Sequence, residues 1–152
     1  MPEEPLDAIL IQVTVPLPVP MIYAALVTPE QLKGWLCSEA TVGAGAGGEY
    51  RLAFTEPERF ESAGKIVQRT NDLDLGFTWF APPAYAKLMN SASPPSQVYL
   101  RLQESPEGVD ITLEHSGWGA GEAWEEARSW HFHFWDDRLQ RLKDYLVRTA
   151  YG

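Results

Sequence analysis

Apolar residues along this chain follow three successive spacings, and each change of spacing marks a change of structure. Ile9 to Val15, "ILIQVTV", alternates apolar and polar with Gln12 and Thr14 on one face, the period-two signature of a half-buried strand. Pro16, Pro18 and Pro20 then make a corner, since each removes an amide donor and fixes φ. Met21 to Val27 reads as a short helix. A second is predicted from "TPEQLKGWL", with Thr28 as N-cap, Pro29 at the first helical position and Gln31 three residues after the cap. The glycines from Gly43 to Gly48 mark a turn. From Glu49 the period is two again. "EYRLAF", "VYLRLQ" and "VDITLEH" alternate clearly, "SAGKIVQRT" and "LGFTWF" more weakly, and "SPEG" (Ser105 to Gly108) joins two of them as a hairpin. Together they predict a curved antiparallel sheet with one wet face.

The last third changes to a helical period. Trp124 to Arg148 holds no proline and no glycine and is rich in helix formers. At about 100° per residue, Trp124, Arg128, Phe132, Trp135, Leu139, Leu142 and Leu146 form one stripe, predicted to face the sheet. Glu126, His133, Asp137, Gln140 and Asp144 occupy the opposite face. The expected fold class is α+β: a sheet wrapped around a long C-terminal helix, with two short helices near the N-terminus, over residues 1–152 as one domain.

Composition narrows the function classes. A net charge of −9 without a basic patch argues against nucleic acid. Cys37 is the single cysteine, which excludes an internal disulfide and a multi-cysteine zinc site; it reads as a spectator thiol. The acidic start "MPEEPLDAIL" is unlike a secretory signal, so a cytoplasmic location is expected. Ile9 to Val27 carries no charge, but three prolines in its middle rule out a membrane span. The glycine run lacks a following Lys-Ser/Thr and a helix, so it is not a phosphate cradle. In "SWHFHFWDD", His131 and His133 have chelating spacing only on a strand. On a helix they diverge by about 200°, so no metal site is expected.

Several segments in this order resemble one family. "ALVTPEQLKGWL" is similar to its helix pair, "GAGGEYRL" to its turn into a strand, and "GKIVQ" with "FTW" to its central strands. "ITLEHSGW" is similar to its last strand and exit, and "WDDRLQRLKDYL" to its C-terminal helix. The family is that related to the activator of the heat-shock protein ninety ATPase, in the START and birch-pollen-allergen-like (SRPBCC) superfamily. The resemblance implies the helix-grip fold with an apolar cavity between sheet and helix. It leaves activity open, because the superfamily contains lipid carriers, cyclases, hormone receptors and chaperone regulators. One departure is "APPAYAKLMNSASPP", residues 81–95, long for a hairpin connection; "AYAKLM" within it fits a short helical turn, and the segment is either a tolerated surface insertion or a lid over the cavity mouth.

The cavity is expected to be lined by Tyr50, Phe54, Trp79, Leu113 and His115 from the sheet and by Trp124, Arg128, His131, Phe132 and Trp135 from the helix. Such rings often simply pack, but a small hydrophobic ligand, aromatic or acyl and with an acidic end clamped by Arg128, is the leading expectation. A chaperone-regulating interaction and an enzyme using His115, His131 and Arg128 are the alternatives, although no nucleophile or carboxylate pair is visible and no cofactor is implied. Trp130 and Phe134, off the stripe, suggest a contact surface for a homodimer.

Overall fold

The computed structural model describes residues 4–151. Seven strands and four helices follow the order β1 (Ile9–Val15), α1 (Val19–Val27), α2 (Pro29–Trp35), β2 (Glu39–Val42), β3 (Glu49–Phe54), β4 (Phe60–Thr70), β5 (Asp74–Thr78), α3 (Pro83–Met89), β6 (Gln97–Ser105), β7 (Gly108–Ser116) and α4 (Glu122–Tyr151). All neighbours in the sheet are antiparallel, in the spatial order β1-β7-β6-β5-β4-β3-β2. The first strand therefore closes on the last, with Ile9 opposite His115 and Val15 opposite Val109.

The alternating strands bury the expected parity. In β7, Val109, Ile111, Leu113 and His115 are buried while the residues between them are partly exposed. The β6–β7 hairpin turns through Pro106 and Glu107, and Gly108 takes a φ of +138°, which a side chain would resist and where a Cβ would run into the Val15 carbonyl. A register shift between Ile66 and Gln68 places a bulge in β4, which bends the sheet around the helix.

Helix α4 is continuous over thirty residues, longer at both ends than its sequence pattern indicates. Its buried face runs through Ala127, His131, Phe134, Trp135, Arg138, Leu139, Leu142 and Leu146. The C-terminal half matches the expected stripe, but the N-terminal half is rotated by about one residue. Phe132 is consequently 39% exposed, not directed at the sheet, and Phe134 is buried, not part of an open contact surface.

Three local features refine the expectation. Thr28 is the N-cap of α2, with Pro29 at the first helical position, and its carbonyl accepts from the Gln31 and Leu32 N–H groups; its side chain, however, makes no capping bond, and its own N–H closes α1 on Ala24. The short strand β2 has too few alternating residues to register as a pattern. The 81–95 segment forms α3, whose Met89 is buried and whose Tyr85 ring lies 5.9 Å from Trp130 and 6.0 Å from His131. Asn90 ties this segment together by accepting from the Ala81 N–H and donating to the Ala81 carbonyl. Among the described residues no helix is long and apolar enough to cross a membrane.

Candidate functional site

The space between sheet and helix is occupied by rings. Trp79 of the segment after β5 is fully buried, with the rings of Phe54, Phe60, His115, His131, Phe134 and Trp135 centred 5.0–6.1 Å from it. Tyr50 stacks on Phe77 at 4.2 Å and donates its hydroxyl to the Leu26 carbonyl, and Leu113 is fully buried. Seven of the ten expected lining residues, Leu113 among them, are thus buried in the interior, but they fill it by packing rather than enclosing a space. The nearest analogue is a close-packed aromatic core, not an open chamber.

Both histidines in this core have every ring nitrogen engaged. The Trp79 indole N–H donates to His131 Nε2 at 3.0 Å, so His131 carries its proton on Nδ1 and donates it to the Ala127 carbonyl at 2.7 Å. The Trp135 indole N–H donates to His115 Nδ1 at 3.0 Å, which leaves His115 Nε2–H to donate to the Ser96 hydroxyl at 3.0 Å. Burial holds His131 down at about 4 and pushes His115 well below the ordinary imidazole range, with the neighbouring His131 a smaller cause for His115. Two neutral, saturated imidazoles have no lone pair to offer a substrate, so the acid–base pairing of His115 with His131 has no free nitrogen to work through.

The remaining expected residues lie elsewhere. Arg128 donates Nε to the Asp7 carbonyl and Nη2 to the Ala8 carbonyl, pinning the chain before β1 onto α4 rather than facing the interior. Phe132 joins Arg128, Leu6 and Glu125 on an outer groove of about 500 Å³. Trp124 is half-buried at the edge, where it packs on Gly119 and lies edge-on to Trp118. His133 is exposed while His131 is buried, as the helical divergence requires.

Arg138 is a buried residue that the sequence pattern hides, because an arginine breaks the apolar stripe it belongs to. Only 4% exposed, it donates Nε to the Leu36 carbonyl at 3.0 Å, Nη2 to the Glu56 carbonyl at 2.5 Å and Nη1 to Asp137 at 2.7 Å. Its guanidinium also lies 4.6 Å from the centre of the Phe134 ring. Arg138 thereby joins α4 to the end of α2 and to the β3–β4 turn.

Two grooves open on either side of that junction. One, of about 620 Å³, is lined by Glu56, Pro57, Trp130, His133, Phe134, Asp137, Arg138 and Arg141. Its floor is the half-buried Trp130 ring stacked on Phe134 at 5.1 Å and 13°. The other, of about 420 Å³, lies between α2 and the far end of α4 and includes Lys33, Cys37, Arg138, Arg141, Tyr145 and Arg148. Burial pushes the Cys37 thiol up to about 12, so it is no nucleophile near neutral pH.

Solved structures share this architecture at low identity. An X-ray structure of a Mesorhizobium loti protein superposes with a TM-score of 0.76 at 18% identity, covering 93% of this chain and 98% of that one. A solution structure of a Bacillus halodurans protein gives 0.73 at 22% identity, covering 94% and 99%. The solution structure of the Aha1 dimer from Colwellia psychrerythraea gives 0.70 at 16% identity, covering 93% and 96%. No curated protein matches the sequence significantly. Residues 16–147 match the family model described as Activator of Hsp90 ATPase homolog 1-like protein, a span from just after β1 to the last turns of α4, and the chain belongs to that family.

Proposed function

We propose that the protein binds a small amphipathic molecule, with an aromatic or acyl body, in the groove between the β3–β4 turn and α4. The observation that carries this reading is the Trp130–Phe134 stack. The half-buried Trp130 ring, backed by the buried Phe134, offers its open face to a groove of about 620 Å³, within the volume range of small-molecule sites. The ligand lies on the outer flank of the helix and not in the interior, where Trp79 and its neighbours leave the rings in mutual contact. Pro57 offers further apolar contact at the groove.

Titration with N-phenylnaphthylamine, an uncharged fluorescent dye, tests the reading. Expected are saturable binding, energy transfer from tryptophan, and an affinity reduced about tenfold or more by Trp130→Ala, the loss of one large ring contact. Dye binding that ignores Trp130→Ala sinks it. A second reading, regulation of a chaperone ATPase, is supported by the family's own description and by the closely packed interior. It is tested by adding the protein to an Hsp90-type ATPase; stimulation that survives Trp130→Ala and is not displaced by dye favours this reading over the first.

A further inference from the structure

The smaller groove is unusual for this chain. Of twelve basic residues in a protein of net charge −9, four (Lys33, Arg138, Arg141 and Arg148) line it, against two acids, Glu56 and Asp144. Most of these cations are already paired: Lys33 lies within 3.9 Å of Glu30 and Glu39, and Asp137 bonds both Arg138 and Arg141. This groove shares Glu56, Arg138 and Arg141 with the apolar groove. An apolar floor and a bay of ion-paired arginines thus meet at one boundary.

The boundary has one fixed and one loose component. Arg138 is immobilised by its bonds to Leu36, Glu56 and Asp137, and its bond to the Glu56 carbonyl fixes the Glu56 backbone as well. The Glu56 carboxylate is different: its side chain is 74% exposed and sits 3.9 Å from Arg141 Nη1. Arg141 does not depend on that contact, because Asp137 accepts from its Nε at 2.8 Å and sets its orientation. An exposed ion pair at the limit of contact contributes little, whereas a planar anion meeting the Arg141 fork gains short, charge-assisted bonds.

We infer that the Glu56–Arg141 ion pair is a displaceable latch between the two grooves, and that the ligand which opens it is an amphipathic anion. Its apolar body lies on Trp130, and its carboxylate or sulfonate head takes Arg141 from Glu56. Glu56 is then an internal competitor that raises the threshold for anion binding and disfavours ligands without a charged head. This inference rests on the groove proposed above as the ligand site.

The test compares two dyes of similar shape, the anionic anilinonaphthalene sulfonate and the uncharged N-phenylnaphthylamine, on the wild-type chain, Glu56→Gln, Arg141→Gln and the double variant. Circular dichroism establishes that each is folded. Glu56→Gln is expected to tighten the anionic dye about two- to fivefold, the size of one exposed ion pair, and to leave the neutral dye unchanged. Arg141→Gln should weaken the anionic dye about tenfold, again sparing the neutral one. In the Arg141→Gln background the Glu56→Gln gain should vanish, because the competitor then has nothing to hold. Unaltered or weaker binding of the anionic dye by Glu56→Gln, while the neutral dye still depends on Trp130, overturns the latch and leaves the groove standing. Failure of the neutral dye to bind the wild-type chain, or its indifference to Trp130→Ala, removes the groove and the latch together.

Discussion

His131 accepts the Trp79 indole proton on one ring nitrogen and donates from the other to Ala127, so a second proton has no place without breaking the first bond. The consequence is a pH dependence with a definite sign. In the unfolded chain the imidazole takes up a proton near its ordinary value of 6.5; in the folded chain burial delays this until about pH 4. Between those values the unfolded state holds more protons, so stability is full above pH 6.5 and is lost as the pH falls. His115, shifted in the same direction, adds to the effect. Each imidazole contributes a slope of up to about 1.4 kcal/mol per pH unit within its window. Urea midpoints measured from neutral pH down to about pH 5 should fall, and His131→Gln, less stable at neutral pH, should show a shallower fall. A wild-type midpoint that is flat over this window would refute the saturated-imidazole reading. The positions of both histidines on the inner face were legible from strand parity and helix period. Their partners were not, because Trp79 and Ser96 are distant in sequence from His131 and His115 and only the closed fold brings them together.

At the scale of elements, the continuity of α4 and the alternation of β3, β6 and β7 are local properties of the sequence, and they were readable for that reason. The phase of α4 in its first half was not. Trp124 and Phe132 are large and apolar and suggest a stripe, while the residues that face inward are a small alanine, a histidine and Phe134, followed by Arg138. The sheet and α3 select the second set, a choice made by packing that no helical period encodes. The pairing of α2 with α4 depends on Gly34, where a Cβ would fall against the Tyr145 ring more closely than real Cβ contacts allow. Alanine at an exposed helical glycine normally stabilises by up to about 1 kcal/mol, but overpacking costs about 1–3 kcal/mol. Gly34→Ala is therefore expected to destabilise, and combining it with Tyr145→Ala should recover part of the loss through coupling of neighbouring sites. Stabilisation by Gly34→Ala alone would show that Tyr145 swings aside freely. On the same helix, Arg138→Met should cost about 2–5 kcal/mol, since it leaves the buried-side carbonyls of Leu36 and Glu56 without their donor. A loss below about 0.5 kcal/mol would mean that water replaces the guanidinium.

For the molecule as a whole, the decisive fact is that the chain's two ends are structurally one region. Strand β1 pairs along its length with β7, and α4 packs over β1, α1, α2 and α3, so both halves contribute to a continuous buried cluster from Ile9 to Leu146. A core shared in this way leaves neither half able to bury its apolar face alone, and unfolding should be all-or-none. Circular dichroism, dominated by α4, and tryptophan fluorescence, dominated by the Trp79–Trp135 cluster, should give coincident urea transitions. A chain ending at Arg141 provides the sharper test. It lacks Leu142 and Leu146, both buried on α4. Losses of about 2–5 kcal/mol for each such leucine approach the whole stability of about 5–15 kcal/mol expected of a domain. The truncated chain should therefore lose its tryptophan signature and its helix together, even though the Trp79–His131 bond lies well away from the cut. Two separated transitions in the full chain, or a truncated chain whose fluorescence stays native while its helix signal falls, would show that the aromatic cluster and the end of α4 are independent units.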